Sequence, residues 1–289
     1  MSVVTLPSNP DTVANSQKRA IEIHGAADVS FVEKDGETGL GRLYYRDPLK
    51  VLFPRGDVPT AALVTTGGGL FGGDIYDIDI HLEQNAKAMV TAQAAEKVYR
   101  SSGPDCEIHV NLKVDEGAAL EWLPQETILF DQARFRRKTT LEMSSTAKAL
   151  AGEIIVFGRL ASGEEIDQGL LREAWDIKID GKLVWADALH MEGQFQRQLN
   201  HVSGFGGARA IATCVFAGPD AVNQLEAARG FLKEFDGVRF GATAVNGILI
   251  CRWLAADPYQ LRKSFGLFWA DFRYYILGRE NILPRLWQC

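Results

Sequence analysis

Alternation of apolar and polar residues is the strongest pattern along the chain. In Ile75-Tyr-Asp-Ile-Asp-Ile-His-Leu82, Tyr76, Ile78, Ile80 and Leu82 share one phase, and Asp77, Asp79 and His81 the other. Glu107-Ile-His-Val-Asn-Leu-Lys-Val114 repeats it, with Ile108, Val110, Leu112 and Val114 on the apolar side. Successive side chains of a strand point to opposite faces, so both segments read as half-buried strands. Further strands are expected at Gly41–Tyr45, Ala61–Thr65, Met89–Gln93, Leu120–Leu123, Lys138–Met143, Ala174–Ile179 and Leu183–Leu189. Turns at Asp35-Gly36, Asp115-Glu-Gly117, Ser162-Gly163 and Asp180-Gly181 separate them. Short strands without intervening helices predict an antiparallel or coiled β architecture, not a βαβ sheet.

The texture changes near Pro219. From there to Phe235, Val222, Leu225, Ala228, Leu232 and Phe235 recur at helical spacing. Strands are expected around Val238–Phe240 and Gly247–Leu254, then a longer helix with Asp257 as N-cap and Pro258 at its first position. Its stripe is Leu261, Phe265, Phe268, Phe272 and Ile276, flanked by Trp269 and Tyr275. The expected organisation is a mobile, polar lead-in over residues 1–18 and a single domain over 19–289. That domain comprises a β body to about 217 and a helix-containing part from about 218.

Composition narrows the function. A chain of 289 residues, 46% hydrophobic and 24% charged, has the balance of a globular protein. A net charge of −6 argues against nucleic acid as the main partner. No apolar run reaches the roughly 18 residues of a membrane span, and the N-terminus lacks the basic and apolar regions of a secretory signal. Cys106, Cys214, Cys251 and Cys289 form no paired motif, which predicts free thiols in a reducing cytoplasm.

Five glycines crowd Thr66-Gly-Gly-Gly-Leu-Phe-Gly-Gly-Asp74. A phosphate loop needs a helix N-terminus after its glycines, or a Lys-Ser/Thr pair; here Asp74 and an alternating strand follow. The loop therefore reads as a tight connection or a close approach of backbone to backbone. There is no Gly-x-Ser-x-Gly elbow and no paired-cysteine or His-Glu-x-x-His zinc spacing. The best metal-ligand pattern is Asp77, Asp79 and His81, two residues apart on one strand face, with Glu107, His109 and Asn111 in the same phase on the second strand. Any half-exposed strand carries such a polar stripe. The late aromatic stripe reads first as a core-facing seam and second as a docking face, because the apolar tail after it adds further hydrophobic surface to be covered.

Four segments, in order, resemble the urease accessory protein D family (UreD, called UreH in some systems). They are Gly67–Asp74 continuing to Thr91-Ala-Gln-Ala-Ala-Glu-Lys-Val-Tyr-Arg100, Leu120-Glu-Trp-Leu-Pro-Gln-Glu-Thr-Ile-Leu-Phe-Asp131, Gly158-Arg-Leu-Ala-Ser-Gly-Glu164 with Gly169 and Arg172, and Leu283-Pro-Arg-Leu-Trp287. The second is the most specific. The resemblance implies a mainly β fold, many short strands in a β-helix-like or sandwich-like body with two helices near the C-terminus. It implies a non-catalytic maturation factor that binds apo-urease and UreF, which recruits the GTPase UreG, and assists nickel insertion. No tightly bound cofactor is implied, only transient Ni2+.

The family's proposed polar nickel passage, carried onto this chain, implies Asp74, Lys97, Tyr99, Glu126, Asp131 and Glu164 as lining or gate positions. The same residues suit an internal ion-pair network that fixes the fold. The UreF-docking face implied is the late helix with Phe265, Phe268, Trp269 and Phe272 and the tail with Pro284, Arg285 and Trp287. Truncation after Gly278 is then expected to abolish UreF binding while the β body stays folded. Two alternatives stand beside this reading: a β-fold hydrolase using a carboxylate pair from Glu126, Asp131 and Glu164, and an adaptor that conducts no metal.

Overall fold

The computed structural model describes residues 23–288; the lead-in over 1–18 and the terminal Cys289 lie outside them. Strand β1 (His24–Lys34) forms a hairpin with β2 (Glu37–Arg46), and β3 (Leu49–Leu52) one with β4 (Thr60–Thr65). The chain then winds in coils: β5 (Ile75–Leu82), β6 (Lys87–Ala92) and β7 (Glu96–Val98); β8 (Cys106–Val114), β9 (Ala119–Leu123) and β10 (Thr127–Leu129); β11 (Arg134–Met143) and β12 (Lys148–Phe157). The hairpin β13 (Gln168–Ile179) and β14 (Lys182–Gln194) leads to α1 (Phe195–Asn200), β15 (Ala210–Ala217) and α2 (Leu225–Phe231). The hairpin β16 (Val238–Val245) and β17 (Ile248–Ala255) precedes α3 (Pro258–Leu277).

Each coil contributes one strand to each of two facing sheets. The seven-stranded sheet runs β14-β13-β11-β8-β5-β1-β2, parallel from β13 to β1. The second runs β16-β17-β15-β12-β9-β6-β4-β3, parallel from β12 to β4. The short β7 and β10 pair in parallel on a third side. This is the coiled β architecture expected, with strands from the helix-containing region, β16 and β17, joined to the same sheet as the β body.

Alternation explains the stacking. In-register pairing aligns Ile80, Leu112 and Leu141 in one interior row, and Leu82, Val114 and Met143 in the next. All six side chains are buried. Strand β12 is buried on both faces, because α3 lies against the outside of its sheet, so it reads as a continuous apolar run rather than an alternating one. Asp257 caps α3 by accepting the Tyr259 N–H at 2.8 Å, and Gly278 ends it in the left-handed region at φ 63°.

The stripe of α3 is a core seam. Phe265, Phe268, Trp269 and Phe272 are at most 1% exposed and pack with Trp253, Phe216 and Cys214 of the sheet. Trp287 is 5% exposed, lies 5.9 Å from the Phe265 ring and donates Nε1–H to the Leu123 carbonyl at 3.2 Å. These five side chains are therefore no accessible docking face. The outward aromatics of this helix are Tyr259, Tyr274 and Tyr275, beside Leu267. The periodic stretch 219–235 is also shorter than expected as a helix: Asp220 adopts φ 61°, a 3-10 turn follows at Ala221–Gln224, and only Leu225–Phe231 is α-helical. Val222 consequently points to solvent.

Candidate functional site

The glycine turn is a close approach between coils. The Leu70 N–H donates to the Lys97 carbonyl at 2.7 Å and the Tyr99 N–H to the Leu70 carbonyl at 2.8 Å. Gly69 has φ 144°, and a Cβ there would lie 2.5 Å from the Lys97 carbonyl oxygen. At Gly72 a Cβ would fall 2.5 Å from the Pro104 carbonyl. Only glycine lets the two backbones come this near.

Behind this turn lies a cavity of about 420 Å³ between the two sheets. Its exposed rim carries Gly67, Gly68, Gln93, Ala94 and Lys97; its depth carries Tyr76, Trp122, Thr127 and Arg137. Glu96 projects onto the wall and accepts the Thr65 hydroxyl at 2.7 Å. Burial pushes its carboxyl up to about 7 against the opposing hydrogen bonds.

Arg137 ends the cavity and opens a buried charge cluster. It sits on β11 in the interior phase, where its neighbours Phe135, Thr139 and Leu141 are fully buried. Its Nε donates to both oxygens of Glu173 at 2.9 and 3.1 Å, and its Nη1 to the Thr127 hydroxyl at 3.1 Å. Its Nη2 faces Glu153 Oε2 at 3.3 Å, yet neither atom completes a hydrogen bond. Glu153 accepts from Thr139 at 2.9 Å and from Trp122 Nε1 at 3.3 Å. Burial raises the Glu173 carboxyl well above its ordinary value, and the two carboxylates keep the Arg137 guanidinium charged despite its own burial. On the far side a second cavity, about 130 Å³, is lined by Glu153, Glu173, Trp175 and Thr213 and bounded by the half-exposed pair Asp187–Arg252. Two cavities with largely apolar walls thus border the same ion cluster, the first at Arg137 and the second at Glu153 and Glu173.

Of the six lining positions expected from sequence, Lys97 lines the first cavity. The other five hold chain to chain. Asp74, 3% exposed, accepts the Phe71 N–H at 2.8 Å and closes the glycine turn. Tyr99 donates to the Gly68 carbonyl at 3.0 Å and stacks on Phe71 at 4.7 Å. Glu126 accepts from Arg262 of α3. Asp131 accepts the N–H groups of Asp167 and Gln168 at 2.8 and 3.0 Å, which hold it below the usual carboxylate range against burial. Glu164 is lowered by the Asp131 N–H and by Arg159. An acid/base pair needs separated pKa values, and the carboxyls of Asp131 and Glu164 are both lowered, so these two are not set apart as acid and base.

The expected metal stripe does not converge. On the outer face of the seven-stranded sheet Asp77 lies between His24 Nε2 at 2.5 Å and His109 Nδ1 at 3.0 Å. Asp79 accepts from Asn111 at 2.9 Å, and His81 meets Asp115 at 2.7 Å. Among the described residues no three His, Cys, Asp or Glu side chains are grouped to hold a metal ion. Each stripe residue is spent on a cross-strand partner instead.

Glu96 makes stability depend on pH. Its folded value, about 7, exceeds the ordinary 4.5, so the stabilisation from its protonated form is complete below about 4.5 and lost as pH rises through about 7. Glu96→Gln is expected to remove this dependence. In urea titrations at pH 5 and 8, its folding equilibrium should gain on the parent's by roughly tenfold to a hundredfold between the two pH values. Parallel pH profiles would show that Glu96 titrates normally.

A family model for the UreD urease accessory protein matches residues 24–288. A urease accessory protein UreD from Magnetococcus marinus is 43% identical over 295 residues, covering 99% of each chain. One from Xanthobacter autotrophicus is 39% identical over 286 residues, covering 97% of this chain and 96% of the relative.

Proposed function

The chain belongs to the UreD urease accessory protein family, and on that premise we propose that it is a non-catalytic component of the apparatus that loads nickel into urease, with its interior as the ion's route. The observation that supports the route is a pair of cavities that border one buried ion cluster, the first at Arg137 and the second at Glu153 and Glu173.

A divalent cation entering a protein interior needs oxygen ligands to replace its water. Glu96, near half protonation at neutral pH, accepts a cation and releases a proton. Further in, Glu153 and Glu173 offer their carboxyl oxygens to a divalent ion once Arg137 swings off them, and Glu173, whose carboxyl burial raises, gives up any proton it holds as the ion binds. Oxygen donors in scattered positions bind nickel weakly enough to let it leave. The thiols of Cys106, Cys214 and Cys251 are pushed up by burial and stay neutral, so they do not trap it.

In this reading the chain works in the cytoplasm as a chaperone for metal insertion, holding apo-urease and UreF, with UreG recruited through UreF. Docking to UreF falls to the outward face of α3, with Tyr259, Leu267 and Tyr274, and to the neighbouring Pro284 and Arg285. No helix among the described residues is long and apolar enough to cross a membrane.

A rim substitution separates conduit from adaptor. At Gly68 a Cβ meets nothing closer than the Tyr99 hydroxyl at 3.8 Å, and its φ lies outside the left-handed region. Gly68→Trp is expected to leave folding and partner binding intact while lowering nickel per urease active site roughly tenfold or more. Nickel loading at the parental rate would leave the adaptor reading in possession.

A further inference from the structure

The seven-stranded sheet ends differently at its two edges. Both edge strands carry charges, Lys182, Asp187, His190 and Glu192 on β14 and Glu37, Arg42 and Arg46 on β2; they differ in their exposed apolar side chains, of which β14 has Leu183. Strand β2 carries Leu40, Leu43, Tyr44 and Tyr45, between 39% and 52% exposed. Among the described residues it pairs with β1 alone, so its other edge presents backbone N–H and C=O groups that no described strand takes up.

We propose that β2 is the seam of a twofold homodimer, in which the β2 strands of two copies pair antiparallel and join the two sheets. The strand's own sequence selects the register. With Leu40 set opposite the other copy's Leu43, Glu37 falls opposite Arg46 and Thr38 opposite Tyr45, at both ends of the seam. Facing is consistent. Pairing with β1 puts Leu40, Leu43 and Tyr45 beside the interior residues Phe31, Val29 and Ala27, and puts Glu37 and Arg46 beside Lys34 and Ala26 on the outer face. A slip of one residue sets Gly39 against Leu43 and crosses the two faces. Glu37 and Arg46 are exposed and have no ion pair among the described residues, so both are available to the second copy. The charge complementarity is with the strand itself, which identifies a second copy as the occupant. This rests on the edge alone and is independent of the nickel route.

Sedimentation of the full chain under reducing conditions, from about 1 to about 100 µM, tests it. The expected species has twice the mass of the 31.8 kDa chain. Glu37→Arg and Arg46→Glu each place like charges at both ends of the seam and should weaken the dimer roughly tenfold or more, while the double swap restores it. A merely structural effect of either substitution would not be reversed by the second. A parent that stays monomeric at the highest concentration, single variants that leave the dimer unchanged, or a double swap that fails to restore it each overturns the proposal. If the parent is monomeric and Leu43→Glu abolishes binding to apo-urease, the edge serves that partner and self-pairing is overturned.

Discussion

Replacing Arg137 by methionine is expected to lower the stability of the folded chain by roughly 3 to 5 kcal/mol, read as a shift of the urea midpoint. The guanidinium is 6% exposed, and its carboxylate partners Glu153 and Glu173 are 2% and 10% exposed. Methionine fills similar space but leaves two like charges buried in one place. Protonation offers partial relief, because the Glu173 carboxyl is already raised. The loss should therefore be greater at pH 8 than at pH 5. Adding Glu153→Gln and Glu173→Gln to the same chain removes the unpaired charge and is expected to recover most of the stability. A loss below about 1 kcal/mol for the single variant would mean that water reaches the cluster and screens it.

Truncation after Gly278 is expected to unfold or severely destabilise the protein, by at least roughly 3 to 5 kcal/mol. The deletion removes Trp287 from between Phe265 and the Leu123 carbonyl, and from beneath the Arg262 guanidinium at 4.4 Å. It removes Leu283, which covers Gly266. It also strips the Glu280 and Ile282 carbonyls from Arg273, a 1% exposed arginine otherwise held by Glu121 and Asp57. The outcome is thus opposite to that expected of a detachable docking tail. Soluble yield and thermal unfolding of the truncated chain decide it. A folded chain of parental stability would show that the tail contributes little to the core.

What the sequence revealed follows from how each element is buried. Strands β5 and β8, buried on one face, announced themselves by alternation. Strands β12 and β15 are buried almost throughout, lose the alternation and were not separable from other apolar runs. The glycine run was legible as a close approach because the strand after it excluded a phosphate loop. The interior cluster has its own signal in the sequence: Arg137 and Glu173 occupy the apolar phase of β11 and β13, and Glu153 interrupts the apolar run of β12. A charge in the buried phase of a strand must be paired inside, so these three positions point to one another. Asp131 and Glu164 offered no comparable distinction, since a carboxylate that ties down loop N–H groups and one that lines a cavity look alike in sequence. The same limit applies to Phe265 and Trp269, whose helical spacing suits a docking face as well as a core seam.

The role in urease maturation is tested most directly by producing the cognate urease with its other accessory proteins, with and without this chain, at limiting nickel. The measurement is nickel per purified urease active site, together with urea hydrolysis. Urease made without the chain is expected to hold little nickel and little activity, and to regain both when the chain is supplied in trans. Equal nickel content with and without the chain would contradict the proposed function.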